Sequence, residues 1–138
     1  MKSIALACAL MLAIASLGAA EEGATQSSSA NAPYTVKDGT KVDEATLAGW
    51  KTWRALACER CHGAEQEGLV GPSLIQSMKV LSKEDFHNVI MNGRPEKGMP
   101  PFNTSAMVMK NWEGLYAYLK GRSDGQIQPG RLTAIDAP

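Results

Sequence analysis

Five residues, Cys58-Glu59-Arg60-Cys61-His62, constrain this chain more than any other stretch of it. Cysteines three positions apart fall on one side of a turn, and the adjacent histidine reaches the same side. Two thiols and an imidazole so placed can form a reducible disulfide, supply part of a zinc site or anchor a porphyrin. The rest of the chain has to decide between these by its destination, its secondary structure and the other ligands it offers.

Destination is read from the first twenty residues. Lys2 precedes an apolar run from Ile4 to Leu17, followed by Gly18-Ala19-Ala20 ahead of Glu21-Glu22. A basic start, a short apolar stretch and small residues at a cutting point form an export signal, and about 14 apolar residues are too few to span a bilayer comfortably. Residues 1–20 are therefore expected to be removed near Ala20, a retained N-terminal anchor being the alternative. Cys8 then leaves with the signal, and only Cys58 and Cys61 remain. The signal carries Lys2 and no acid, so 13 basic and 14 acidic residues are left, scattered along the chain. That balance excludes a nucleic-acid partner, which needs a basic patch. A chain of this size hides roughly two-thirds of its unfolded surface, enough for one small core that a large buried cofactor would help.

Residues 21–33 are mostly Ser, Ala, Gln, Gly and Thr and read as a flexible linker. The domain is expected over residues 34–122. Residues 123–138, with two glycines, two prolines and no periodicity, read as a C-terminal tail that trails over the surface or lies against a partner. Between these ends three helices stand out. Asp43 is an N-cap, and Leu47, Trp50, Trp53 and Ala57 recur at helical spacing. Gly49 sits inside this helix at a cost of about 1 kcal/mol relative to alanine, which points to another backbone passing close by. Ser82 and Asp85 open a second helix, with Phe86, Val89 and Ile90 on one face and Gly93 and Pro95 as its stop. The third runs from Ser105 to Lys120, with Val108, Trp112, Leu115 and Leu119 as its stripe and Gly121 closing it. A shorter turn covers Ser73 to Met78, and an irregular loop runs from Arg94 to Thr104. No segment alternates strongly enough to read as a strand, so the fold class is all-α.

These features sort the three chemistries. A thioredoxin-type disulfide belongs at the start of a helix after a strand, and strands are missing. Structural zinc takes four ligands, and beyond His62 the only other histidine is His87. The pattern C-x-x-C-H is instead the attachment signature of c-type haem: two thioethers to one porphyrin, with the histidine reaching iron from the same side. A sixth ligand is then expected, and methionine is the usual one in an electron carrier of reasonably high potential. Met78, Met91, Met107 and Met109 lie in or beside predicted helices, where core filling is the default. Met99 lies in Lys97-Gly98-Met99-Pro100-Pro101, where a glycine permits an unusual turn and two prolines stiffen the chain after the sulfur. Met99 is the expected distal ligand; Met107 or Met109, His87 and an open site are the alternatives.

With these residues in place the chain resembles the class I c-type cytochromes. The order of landmarks carries the likeness: Cys58-Glu59-Arg60-Cys61-His62 after a helix, Gly71-Pro72-Ser73-Leu74 ten residues later, Gly98-Met99-Pro100, and a final helix ending in Leu115-Tyr116-Ala117-Tyr118-Leu119-Lys120. The resemblance implies N- and C-terminal helices that cross around one covalently bound haem c, with Gly49 and Trp53 against Leu115 and Tyr118. It also implies that the Pro72 carbonyl accepts a hydrogen bond from the His62 ring. Charged residues between the cysteines depart from the usual pattern, with surface charge the expected effect. Three stretches, Tyr34 to Asp43, Gly49-Trp50-Lys51-Thr52-Trp53 and Tyr118 to Gly125, look like those of bacterial periplasmic cytochromes that accept electrons from pyrroloquinoline quinone (PQQ)-dependent methanol or other alcohol dehydrogenases. This implies a monomeric one-electron carrier, not an enzyme, that passes electrons to a downstream cytochrome or oxidase, with residues 63–70 and 99–102 bordering the contact face. A general electron shuttle unconnected with alcohol oxidation is the alternative, and a haem sensor or enzyme with an open distal position is a further one.

Overall fold

Four helix starts are written in single residues whose side-chain oxygens accept a backbone N–H three positions on: Asp43 from Thr46, Ser73 from Gln76, Ser82 from Asp85 and Ser105 from Val108. The computed structural model, which describes residues 31–137, places α1 at Glu44–Ala55, α2 at Glu59–His62, α3 at Leu74–Ser77, α4 at Lys83–Asn92 and α5 at Ala106–Ser123. A 3-10 turn, Pro95–Lys97, interrupts the loop between α4 and α5. The expected export signal with Cys8, and most of the expected linker, lie outside the described residues.

The fold is built on the crossing of α1 and α5. Two glycines face each other there. A Cβ added to Gly49 would stand 2.0 Å from the Gly114 carbonyl oxygen, and one added to Gly114 would stand 2.0 Å from that of Ala45. The backbone that Gly49 anticipates is thus Gly114-Leu115 of α5. Around the crossing Trp53, Leu115, Val108 and Met78 are fully buried. Residues 114–119 are buried on every side of α5, because α1, α3, α4 and the C-terminal segment surround it.

Four expectations are corrected. Strands exist, but are two residues each, too short to show alternation: β1 (Val36–Lys37), β2 (Lys41–Val42) and β3 (Thr133–Ala134) form a sheet in which β1 is antiparallel and β3 parallel to β2. The C-terminal segment does not trail: Ile127 and Leu132 are buried, and Gln128 N donates to Gly39 O at 2.8 Å. Gly121 does not close α5, which runs on to Ser123; its missing side chain makes room for Ile127, whose Cδ1 would lie 2.4 Å from an added Cβ. Met107 and Met109 do not fill the core but are exposed on α5.

Candidate haem site

Cys58 owes its position to the way α1 ends. Ala57 adopts φ +51°, its N–H donates to Arg54 O, and the Cys58 N–H donates to Trp53 O. This is the paired bonding of a Schellman motif, with alanine where glycine is usual. The cysteine is therefore the first residue beyond the left-handed cap, and α2 starts at once after it. Cys58 is half-buried and Cys61 exposed, and no disulfide joins them. Burial, and then the charge of Glu59, push the Cys58 thiol up to about 11. Glu59 does more than decorate the surface. Its Oε1 lies 3.6 Å from Arg54 Nη1, and its Oε2 is buried without a partner among the described residues.

The loop after α2 folds back to satisfy the carbonyls left open at the helix end. Gly71 N donates to Cys61 O and Gly68 N to His62 O, each at 2.7 Å. This return brings Pro72 to the His62 ring, where Nδ1 stands 2.9 Å from the proline carbonyl. A carbonyl can only accept, so Nδ1 is the donor in this contact and Nε2 is the ring nitrogen left to face a metal, the orientation a metal-binding histidine uses. Gly71 fits tightly beneath the imidazole, with the position of a Cβ only 2.9 Å from Cε1. Trp53 lies on another side, ring centroids 6.4 Å apart.

Met99 is held by a second clamp. Arg94 N donates to Met99 O at 2.8 Å and Met99 N to Arg94 O at 3.1 Å, closing a small loop around the 3-10 turn. Gly98 takes the left-handed conformation at φ +82° that lets the chain reverse before the sulfur. Phe102 N donates to Ile90 O at 3.1 Å and ties the end of the loop to α4. The Met99 side chain is half-buried against the core. Of the alternatives, His87 packs against Trp112 with centroids 4.4 Å apart, and Met107 and Met109 are exposed.

The donor set is thus two thiols, an imidazole with a free nitrogen and a thioether on a pinned loop. It fits covalent haem, and among the described residues no cluster of three or more His, Cys, Asp or Glu side chains is arranged to hold a metal ion on its own. A cavity of about 1040 Å³ also opens between α1 and the C-terminal segment; Trp53 and Tyr118 line it, and Met99 does not.

Comparison with known proteins agrees. The model of the family described as cytochrome C oxidase, cbb3-type, subunit III matches residues 44–119. Cytochrome c-555 of Methylococcus capsulatus is 45% identical over 92 residues, which span 66% of this chain and 73% of that protein. This chain belongs to the c-type cytochromes. Cytochrome c-553I of Paracoccus denitrificans is 31% identical over 105 residues, 71% of this cytochrome and 46% of its relative. The crystal structure of the c-type cytochrome XoxG from Methylobacterium extorquens AM1 superposes with a TM-score of 0.67 at 33% identity, covering 76% of this cytochrome and 68% of XoxG. The protein is accordingly a class I c-type cytochrome, an electron-transfer protein carrying covalently bound haem c, and Cys58 and Cys61 fit the attachment pattern.

Two residues with a part in the site were not visible in the sequence. Gln66, fully buried, adopts φ +64° and accepts Leu74 N at 2.9 Å on its backbone oxygen, joining the loop after His62 to α3. Arg122 reaches into the same loop from α5. Neither a glutamine nor an arginine advertises burial, since both are usually exposed.

Proposed function

We propose that this cytochrome is a periplasmic one-electron carrier in which Cys58 and Cys61 hold the porphyrin through thioethers, His62 Nε2 and the Met99 sulfur bind the iron, and the Pro72 carbonyl orients His62. When bound, haem c supplies the one-electron iron couple. The observation that carries the reading is the 2.9 Å contact between His62 Nδ1 and the Pro72 carbonyl, which commits Nδ1 as donor and leaves Nε2 as the nitrogen available to iron. His62, tied to Pro72, and Met99, tied to Arg94, would hold the group from backbone that is pinned on each side, so the residues would not need to rearrange as the electron passes. Export follows from the apolar run between Ile4 and Leu17.

The electron donor is a PQQ-dependent methanol or other alcohol dehydrogenase, and the acceptor a downstream cytochrome or oxidase. The flanking segments that resemble cytochromes of alcohol oxidation support this. Leu69 and Val70 stand 74% and 84% exposed on the loop that returns to His62, an apolar edge suited to brief docking.

Met99→Ala tests the ligation. The reduced variant binds carbon monoxide on mixing and wild type does not; a variant with the wild-type spectrum and no added carbon monoxide binding removes Met99 from the iron. The donor is tested by the rate at which a purified methanol or ethanol quinoprotein reduces the cytochrome, and by the slowing expected in Leu69→Asp and Val70→Asp. Equal rates with an unrelated donor reduce the reading to a general electron shuttle.

A further inference from the structure

We propose that Arg122 raises the reduction potential of this cytochrome as a buried cation left unneutralised behind the His62 loop. Arg122 is 9% exposed. Its Nε donates to Gln66 Oε1 at 2.7 Å, Nη1 to Ile127 O at 2.6 Å and Nη2 to Glu65 O at 3.2 Å. Among the described residues its guanidinium has no carboxylate within salt-bridge distance; Asp124 pairs with Lys120, and Glu59 with Arg54. Three neutral acceptors take three of its five N–H groups and cancel none of its charge. Burial of an unpaired charge is costly, and an apolar side chain of similar volume would avoid that cost.

Two chains of contacts link Arg122 to the His62 loop. Glu65 and Gln66 follow His62 by three and four positions. Gln66 Nε2 also donates to Tyr118 Oη at 3.1 Å, the Tyr118 ring lies 6.3 Å from Trp53, and Trp53 lies 6.4 Å from the His62 ring. Reduction adds one electron and no proton, so the centre becomes less positive by one charge, and a fixed cation nearby favours that state. For scale, at an effective dielectric of about 20 two unit charges shift an equilibrium by about sixteen-fold when roughly 10 Å apart and about six-fold when roughly 15 Å apart. Gln66 is the residue that decides whether the field persists. A glutamate there would neutralise the guanidinium in place with almost no change of shape, and the chain carries the neutral amide, held in a left-handed conformation that a non-glycine residue rarely adopts.

The inference rests on the reading of His62 as an iron ligand. Its test is a potentiometric titration of the haem-loaded Gln66→Glu, Arg122→Gln and Arg122→Lys variants at neutral pH. Gln66→Glu and Arg122→Gln are expected to lower the one-electron equilibrium constant against a fixed mediator about three- to tenfold, tenfold being about 59 mV. Arg122→Lys keeps the charge and loses the forked bonds, so it is expected to melt earlier while keeping most of the potential. A Gln66→Glu protein with wild-type spectrum and melting temperature and an unchanged potential overturns the proposal. So does an equal fall in both Arg122 variants in step with lost stability, because loosening of the loop would then be the cause. His62→Ala tests the ligation independently: loss of the wild-type visible spectrum is expected, and an unchanged spectrum removes His62 from the iron, which keeps failure of the ligand reading distinguishable from failure of this one.

Discussion

At Gly71 one added carbon would reach the imidazole. Its Cβ would stand 2.9 Å from His62 Cε1, 3.0 Å from Nδ1 and 3.3 Å from Cys61 O, a space bounded by the haem motif itself. Gly71→Ala is expected to push His62 off the Pro72 carbonyl, shift the ring signals of His62 in the reduced NMR spectrum and lower stability by about 1–3 kcal/mol. Unchanged ring signals would show that the imidazole is seated by other contacts. At this scale the sequence is legible where chemistry demands a fixed spacing, as in Cys58-Glu59-Arg60-Cys61-His62 and Gly98-Met99-Pro100. It is silent where a residue of ordinary character acts through burial. Nothing about Pro72 in isolation marks its carbonyl as an acceptor, and only the family likeness implied it. Gln66 and Arg122 have no local signature, because the contacts that define them join positions 56 apart in the chain.

Among the elements, helix starts are legible and helix ends less so. A cap needs one side chain at one position, and Asp43, Ser73, Ser82 and Ser105 each supply it. A glycine near the end of a helical run has two physical meanings, a left-handed stop or a gap for a neighbour. Gly93 is both, a stop with φ +66° and a gap in which an added Cβ would stand 2.5 Å from Pro100 C, whereas Gly121 is only a gap, filled by Ile127. The α1 and α5 crossing shows the second meaning twice. Gly49→Ala forces a carbon to within 2.0 Å of the Gly114 carbonyl, and no side chain is available to yield. The two helices must separate, and the expected loss is about 3 kcal/mol or more, measured by denaturant unfolding of the haem-loaded protein. A loss below about 1 kcal/mol would mean that the crossing tolerates separation.

At the scale of the whole molecule, long-range ties bind the N-terminal segment to the C-terminal one. Tyr34, buried, donates its hydroxyl to Asp124 at 2.9 Å, and Tyr118 joins α5 to the loop after His62. Burial raises both phenols above the usual tyrosine value; at Tyr34 the hydrogen bond and charge of Asp124 add to it, and at Tyr118 Arg122 and Gln66 partly offset it. The folded state therefore holds protons that the unfolded chain releases near pH 10. Stability is complete below about pH 10 and falls as the pH rises beyond it. Denaturant midpoints measured from pH 9 to 12 are expected to show this fall, and a Tyr34→Phe, Tyr118→Phe double variant to show a shallower one; parallel slopes would assign the fall to other groups. The sequence is least legible at this scale. Strands of two residues are below the length at which alternation can be seen, and Ile127 and Leu132, isolated among polar neighbours, give no periodic sign that they enter the core.

The parallel pairing of β3 with β2 has a topological consequence. Val36 and Ala134 sit in the same register across Val42, two strand spacings or about 10 Å apart. A short glycine-rich bridge spans that gap, so the domain can be joined into a ring and reopened at Val80, 86% exposed between α3 and α4. Such a rearranged chain would keep the cysteine motif and the Met99 loop in their places, with the order of synthesis separated from the order of the fold.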